Sequence, residues 1–267
     1  MPTVGDIYRC IDAFAPFSTQ ESWDNSGLLV GDMDHSVRRV CTALDISKQV
    51  IDTAVAKDAS LIISHHPVIF SPLKQLSVHS PVYQLAEHHI DAICVHTPLD
   101  MAAEGLNSWM YAHLQKPLAL TDQVTTLEPT MPDGGGFGWI ADSTVTWTPQ
   151  TLAKRLQVLL ECPSVRYSAN SDLKITKIAY CSGSGASMLE LAAQAGCQAL
   201  ITGDIKHDRW IEAEFLGVAL FDCGHYGTEH IAADILEEKL RTSFPGLDVI
   251  TAGESDPVDL YIGGNDT

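Results

Sequence analysis

The feature that most constrains the fold is a local pattern that occurs four times along the chain. Each copy has an Ala/Leu-rich helical stretch, a short turn, a run of β-forming residues, and polar residues where that run ends. The four copies end at the peptides SHHP (64–67), HTPLD (96–100), TGDIKHD (202–208) and CGHYGTEH (223–230). Alternating helices and strands are typical of α/β proteins, whose ligands bind at the carboxyl ends of the strands.

The four copies form two similar pairs, at about residues 40–100 and 178–229. We therefore predict two similar α/β lobes that arose by duplication, and a shared α/β pattern alone is the alternative explanation. The expected division is a first lobe at 1–117, a bridging subregion at 118–174 that packs on the lobes, and a second lobe at 175–267. Because about 55 residues form only a marginal core, we expect one interlocked unit rather than independent domains.

Composition argues against several classes of function. The formal net charge of −18, from 16 Lys and Arg against 34 Asp and Glu, disfavours binding to nucleic-acid phosphates. No run of residues reaches the roughly 18 apolar positions of a membrane-spanning helix, and the N-terminus lacks the apolar core of a signal peptide. Seven scattered cysteines without a C-x-x-C pair argue against a disulfide framework, so we expect a cytoplasmic protein.

Two adjacent histidines, His65 and His66, interrupt the apolar peptide IISHHPVIF. Neighbouring residues of a regular strand point to opposite faces, so two such histidines would not normally serve one site. Pro67 removes a donor and ends the ladder, which allows both rings to turn toward one crevice. The alternative for an isolated pair is one buried imidazole bonded to the backbone and one exposed imidazole.

Further metal-binding residue types follow other predicted strands. Asp100 closes HTPLD, and His225 and Glu229 lie four residues apart, which places them on one face of a helix. Taken alone, Asp100 is an ordinary turn former and the His/Glu pair is an ordinary solvated helix face. With His65 and His66 they form a set of nitrogen and oxygen donors that suits Zn, Mn, Fe, Co or Ni. Two ions about 3.5 to 4 Å apart would use such a set fully.

Four peptides in this order, WDNSGLLVG (23–31), SHHP, HTPLD and GHYGTEH (224–230), resemble the NIF-three-like family, also labelled GTP cyclohydrolase 1 type 2. The resemblance extends to about residue 264 and is to the short members, without an inserted domain. It implies a dinuclear metal site in the cleft between two α/β lobes and a ring-shaped homohexamer. The residues that it implies are the metal ligands His65, His66, Asp100, His225 and Glu229, with His96 contacting substrate or positioning water.

The resemblance also implies a function. We expect a dinuclear metal-dependent hydrolase in which a metal-bound hydroxide attacks a small-molecule substrate, either a purine nucleotide such as GTP or a related compound. The alternative is a non-catalytic metal-binding ring that acts as a scaffold or a metal sensor. A ring that acts on nucleic acid ranks last because of the negative charge.

Other residues receive structural interpretations. We expect Trp23, Asp24 and Asn25 to form a structural corner, and Asp204 and His207 to support the site by hydrogen bonds. The glycine-rich peptide at 134–138 lacks the ending of a phosphate-binding loop and is interpreted as a turn. It carries phenylalanine at 137, where many relatives carry arginine.

Overall fold

The computed structural model describes residues 1–132, 134–168 and 172–259, which form two β-sheets and their connecting helices. The α-helices in the described residues are α1 Val4–Phe14, α2 Lys48–Ala56, α3 Pro81–Glu87, α4 Thr97–Met101, α5 Leu106–Gln115, α6 Pro149–Leu159, α7 Leu189–Gln194, α8 His207–Leu216, α9 His225–Glu229 and α10 Ala232–Ser243. The strands are β1 Gly27–Val30, β2 Arg39–Ala43, β3 Leu61–Ser64, β4 Asp91–Cys94, β5 Leu120–Pro129, β6 Gly136–Trp147, β7 Arg166–Tyr167, β8 Ile175–Tyr180, β9 Ala199–Thr202, β10 Ala219–Asp222 and β11 Asp248–Thr251.

The first sheet has the strand order β1-β4-β3-β2-β11. Strands β2, β3 and β4 are parallel and are connected by α2 and α3, and β11 adds a further parallel strand beside β2. At the other edge, β1 pairs antiparallel with β4. The residues of β3 and β4 are all buried, as expected for parallel strands that are covered on both faces.

The second sheet has the strand order β5-β6-β8-β9-β10-β7. Strands β8, β9 and β10 are parallel and are connected by α7 and α8. Two antiparallel strands flank them, because β7 pairs with β10 and β6 pairs with β8. The carboxyl ends of β8, β9 and β10 therefore lie at one edge of this sheet.

The two sheets contain the same motif. Each has three parallel strands joined by helices, and an antiparallel strand that precedes the motif in sequence but pairs at its far edge. In each, a five-residue helix follows the last parallel strand, α4 after β4 and α9 after β10. The prediction of two similar α/β lobes is confirmed.

The chain divides into two compact units whose bounds differ from the predicted lobes. Among the described residues, the first unit contains 1–109, 130–132, 134–136 and 230–254, and the second contains 110–129, 137–168, 172–229 and 255–259. Helix α10 and β11 belong to the first unit because β11 pairs with β2. Most of the predicted bridging subregion at 118–174 belongs to the second unit, because β6 pairs with β8 and extends its sheet.

Local sequence signals explain where several elements begin and end. Thr148 caps α6 by accepting the Thr151 backbone N–H at 3.3 Å, and Pro149 is the first helical residue, as predicted. The turns that follow α2 and α7 contain Asp58 and Gly196 with φ of 55° and 74°. Glycine adopts this left-handed conformation without the steric cost that a Cβ atom brings.

The apolar residues of the sheets and helices form the cores of the units. All seven cysteines lie in the described part of the chain, and none of them forms a disulfide in the structure. Among the described residues, no helix has the length and apolar character required to span a bilayer.

Candidate metal centre

The first unit brings three histidines together at the carboxyl ends of neighbouring parallel strands. His65 and His66 directly follow β3, and His96 lies two residues after β4. Backbone hydrogen bonds from His65 N–H to Ala43 O (3.1 Å) and from His66 N–H to Leu44 O (2.9 Å) continue the pairing with β2. Both imidazoles therefore leave the chain at a fixed point of the sheet edge.

The ring of His65 is fully buried and its orientation is fixed by the backbone. Its Nδ1 lies 2.9 Å from Val95 O. A carbonyl oxygen can only accept, so Nδ1 carries the hydrogen and Nε2 presents a lone pair when the ring is neutral. His65 Nε2 lies 3.8 Å from Asp100 Oδ1 on α4. This separation is too long for a hydrogen bond, but it suits two ligands that each lie about 2.0 to 2.2 Å from one ion.

The other two of these three histidines are each held by a carboxylate. His66 Nδ1 lies 2.8 Å from Asp45 Oδ1, and His96 Nδ1 lies 2.8 Å from Asp24 Oδ1. Ionised carboxylates only accept, so each Nδ1 donates and each Nε2 is left to face a ligand.

The carboxylate of Asp24 is fully buried and accepts several hydrogen bonds besides the one from His96. Its donors are the backbone N–H of Asn25 (2.6 Å), the Ser26 hydroxyl (3.0 Å), and the N–H (3.1 Å) and hydroxyl (2.5 Å) of Thr97. Burial raises the pKa of Asp24, but the hydrogen bonds from His96, Thr97 and Asn25 and the charge of His96 outweigh it, so this pKa lies well below its ordinary value. Asp24 is thus more than the structural corner expected from the sequence, because it orients His96.

The three imidazoles form one cluster. Their ring centroids are 5.1 Å apart for His65 and His66, 5.3 Å for His65 and His96, and 5.6 Å for His66 and His96. One nitrogen from each lies within 4.8 Å of the other two, which is a separation that a metal ion can span. His96, predicted to contact substrate, lies directly among the predicted ligands.

In the second unit, His225 and Glu229 lie at the two ends of α9. Their side chains face each other as predicted, with His225 Nε2 at 2.9 Å from Glu229 Oε2. His225 Nδ1 lies 2.8 Å from Asp204 Oδ2. Since a neutral imidazole has one N–H and Asp204 accepts it, Nε2 presents its lone pair on the side of Glu229, and both groups have the chemistry of metal ligands.

Two glycines allow the chain to pass close to this pair. A Cβ atom on Gly183, whose φ is 57°, would lie 3.0 Å from Glu229 Cδ and 3.2 Å from His225 Nε2. A Cβ atom on Gly203 would lie 2.8 Å from the backbone nitrogen of His225. Asp204, the residue that orients His225, has a positive φ of 53°, so the backbone strain lies in that residue itself.

Sequence reasoning did not single out Asp45, Gly183 or Gly203. Asp45 lies two residues after β2, Gly183 three after β8, and Gly203 directly after β9. Their position after strands was the one feature that could have identified them, because the carboxyl ends of parallel strands lie at one edge of a sheet, where ligands bind.

Other residues lie outside these clusters. His207 is exposed at the first position of α8, whereas Asp204, which was considered with it, does support His225. Phe137 packs against the core of the second unit. A hydrogen bond with Cys162, together with burial, raises the pKa of the Cys223 thiol well above its ordinary value, so this cysteine behaves as a small buried residue and not as a nucleophile.

Replacement of Gly183 by alanine tests the fit around His225 and Glu229. Gly196→Ala is the matched control, because Gly196 also has a positive φ but an added Cβ meets nothing within 4 Å. Both variants incur about 1 to 2 kcal/mol for the left-handed conformation. Gly183→Ala is expected to lose about 1 to 3 kcal/mol more, because its Cβ displaces the pair. Urea unfolding measures both losses, and equal losses would contradict the described contacts.

The chain matches known proteins over nearly its whole length. The model of the family Duf34/NIF3 (NGG1p interacting factor 3) matches residues 2–257. A Clostridium acetobutylicum protein named GTP cyclohydrolase 1 type 2 homolog is 30% identical over 244 residues, with 89% of each chain covered. A Staphylococcus aureus (strain MSSA476) protein of the same name is 26% identical over 344 residues, covering 90% of this chain and 93% of its own. The alignment with this relative spans more positions than the 267 residues of this chain, so the relative carries residues that have no counterpart here.

Solved structures share the fold. The crystal structure of a Staphylococcus aureus hypothetical protein, SA1388, superimposes with a TM-score of 0.84 at 29% identity, covering 98% of this chain and 100% of that chain. A Bacillus cereus protein related to NIF3 gives a TM-score of 0.88 at 19% identity, covering 97% of this chain and 99% of that one. The chain therefore belongs to the Duf34/NIF3 family.

Proposed function

We propose that the protein is a dinuclear metal-dependent hydrolase whose metal ligands are His65, His66, Asp100, His225 and Glu229. The observation that carries the proposal is the hydrogen bond from Nδ1 of each histidine to an oxygen acceptor. Metal-ligating histidines characteristically donate their other N–H to a carboxylate or a carbonyl, which fixes the ring and raises its basicity. Imidazole and carboxylate donors suit divalent Zn, Mn, Fe, Co or Ni.

His96 is the proposed catalytic group. Bound divalent ions would supply Lewis acidity to a substrate group and to water. Asp24 holds the His96 ring with Nδ1 as the donor, so Nε2 can accept a proton from water or substrate and return it to a leaving group. The His96 side chain is 16% exposed, beside the fully buried ring of His65.

The proposed substrate is a purine nucleotide. Relatives at 26% and 30% identity carry the name GTP cyclohydrolase 1 type 2 homolog, which supports ring hydrolysis of a guanine nucleotide as the first reaction to test. A non-catalytic metal-binding scaffold or sensor would require the metals but not His96 and Asp24.

The metal content of the purified protein tests the first part of the proposal. We expect about two divalent ions per chain by elemental mass spectrometry of untagged protein, and a sharp loss in His225→Ala, which removes a ligand. His207→Ala is the matched control, because His207 lies exposed on α8 of the same unit. No metal in the wild type after reconstitution, or equal metal in both variants, would contradict the proposed ligands.

The role of His96 separates catalysis from a scaffold. His96→Gln is expected to retain its metal but to lose about 10²- to 10⁴-fold in kcat for formate release from GTP, because the proton-transfer group is gone. Asp24→Asn is expected to lower kcat in the same direction. His79→Gln, at an exposed loop position, should leave turnover unchanged. If the metal-loaded wild type turns over neither GTP nor other purine nucleotides, the hydrolase proposal fails and the scaffold alternative is favoured.

A further inference from the structure

Two large aromatic side chains are exposed beside His96. Trp23 is 55% exposed and Phe70 is 54% exposed. Their ring centroids are 6.2 Å apart with an interplanar angle of 41°. We name this pair, Trp23 and Phe70, the aromatic platform.

Hydrogen bonds hold the two chain segments that carry Trp23 and Phe70. The Asn25 side-chain amide donates to Ile69 O at 2.5 Å, which ties the segment of Trp23 to the residue before Phe70. The buried carboxylate of Asp24 and a hydrogen bond from Glu21 N–H to the Thr97 hydroxyl (3.1 Å) fix the chain around Trp23. The exposure of both rings is therefore set by buried contacts on the same segments.

Both rings make edge-to-face contacts with the ring of His96. The His96 centroid lies 5.8 Å from that of Trp23 at 77° and 6.5 Å from that of Phe70 at 72°. His96 in turn contacts His65 and His66 through its ring. The exposed apolar surface thus continues directly into the cluster of candidate metal ligands in the first unit.

The spacing determines how a ligand can use this surface. A ring inserted between two aromatic faces needs about 7 Å between them, and aromatic pairs in direct contact lie about 4.5 to 7 Å apart. At 6.2 Å with a tilt, Trp23 and Phe70 already contact each other. They form a surface on which a planar ring can stack, and not a slot that encloses one.

We propose that the aromatic platform binds the purine base of the substrate by stacking, so that the base lies beside His96. This inference rests on the proposed function and assigns its substrate class to named residues. Both rings of the platform offer uncharged π-faces, so the platform itself suits a heteroaromatic ring better than a phosphate.

Binding of two matched ligands tests the platform. Guanosine 5′-monophosphate and ribose 5-phosphate share the sugar and the phosphate and differ by the base. Isothermal titration calorimetry of the metal-loaded protein is expected to show tighter binding of the nucleotide. Trp23→Ala should weaken nucleotide binding by about 5- to 150-fold and leave ribose 5-phosphate binding unchanged, because one stacking surface is lost.

Three further variants sharpen the result. Trp23→Phe keeps an aromatic face and is expected to retain most of the affinity, whereas Phe70→Leu keeps apolar volume without the ring and should weaken nucleotide binding. Phe215→Ala is the matched control, since Phe215 is an 87% exposed aromatic residue on α8. Metal content is measured in every variant.

The inference is overturned if Trp23→Ala binds the nucleotide as tightly as the wild type, or if the wild type does not discriminate between the two ligands. It is also overturned if Trp23→Ala changes the mass of the assembly by light scattering while nucleotide affinity stays constant, because the platform is then an interface between copies. Absence of metal would defeat the proposed function, and the same ligand comparison on metal-free protein would still decide whether the base stacks.

Discussion

The candidate ligands depend on hydrogen bonds that fix Nδ1 of each histidine. Val95 O fixes His65, and the carboxylates of Asp45 and Asp204 fix His66 and His225. Each bond selects the tautomer with the hydrogen on Nδ1, so the ring presents Nε2, the nitrogen that the proposed metal ions would use. Under the proposed function, loss of these bonds would leave the rings to be ordered when the ion binds, and the affinity for the metal would fall.

The duplicated fold explains where these groups come from. Each unit places the ends of three parallel strands at one edge, yet the two units use that edge differently. After β3 the chain carries His65 and His66, whereas after β9 it carries Gly203 and Asp204. In the second unit, Gly203 lets the chain pass close to the backbone of His225, and Asp204 orients the His225 ring. His225 itself lies on α9. The same scaffold thus presents ligands from a strand end in one unit and from a helix in the other.

The sequence was sufficient to predict which residues follow the strands, but not which residues on other strands would contact them. Alternating helix and strand patterns, and the prolines after the two histidine peptides, placed His65, His66 and His96 at one edge. The i,i+4 spacing placed His225 against Glu229. The roles of Asp45 and Gly183 could not be predicted from the sequence, because they arise when strands β2 and β8 pair with distant parts of the chain. The lobe bounds differed for the same reason, since the return of β11 to β2 has no local signal.

Anomalous diffraction from zinc-soaked crystals shows whether the histidines bind metal through Nε2. We expect anomalous peaks within about 2.0 to 2.1 Å of the Nε2 atoms of His65, His66 and His225, with the Nδ1 contacts to Val95 O, Asp45 and Asp204 retained. Zinc bound at Nδ1 with these contacts broken, or no zinc at these residues, would contradict this expectation.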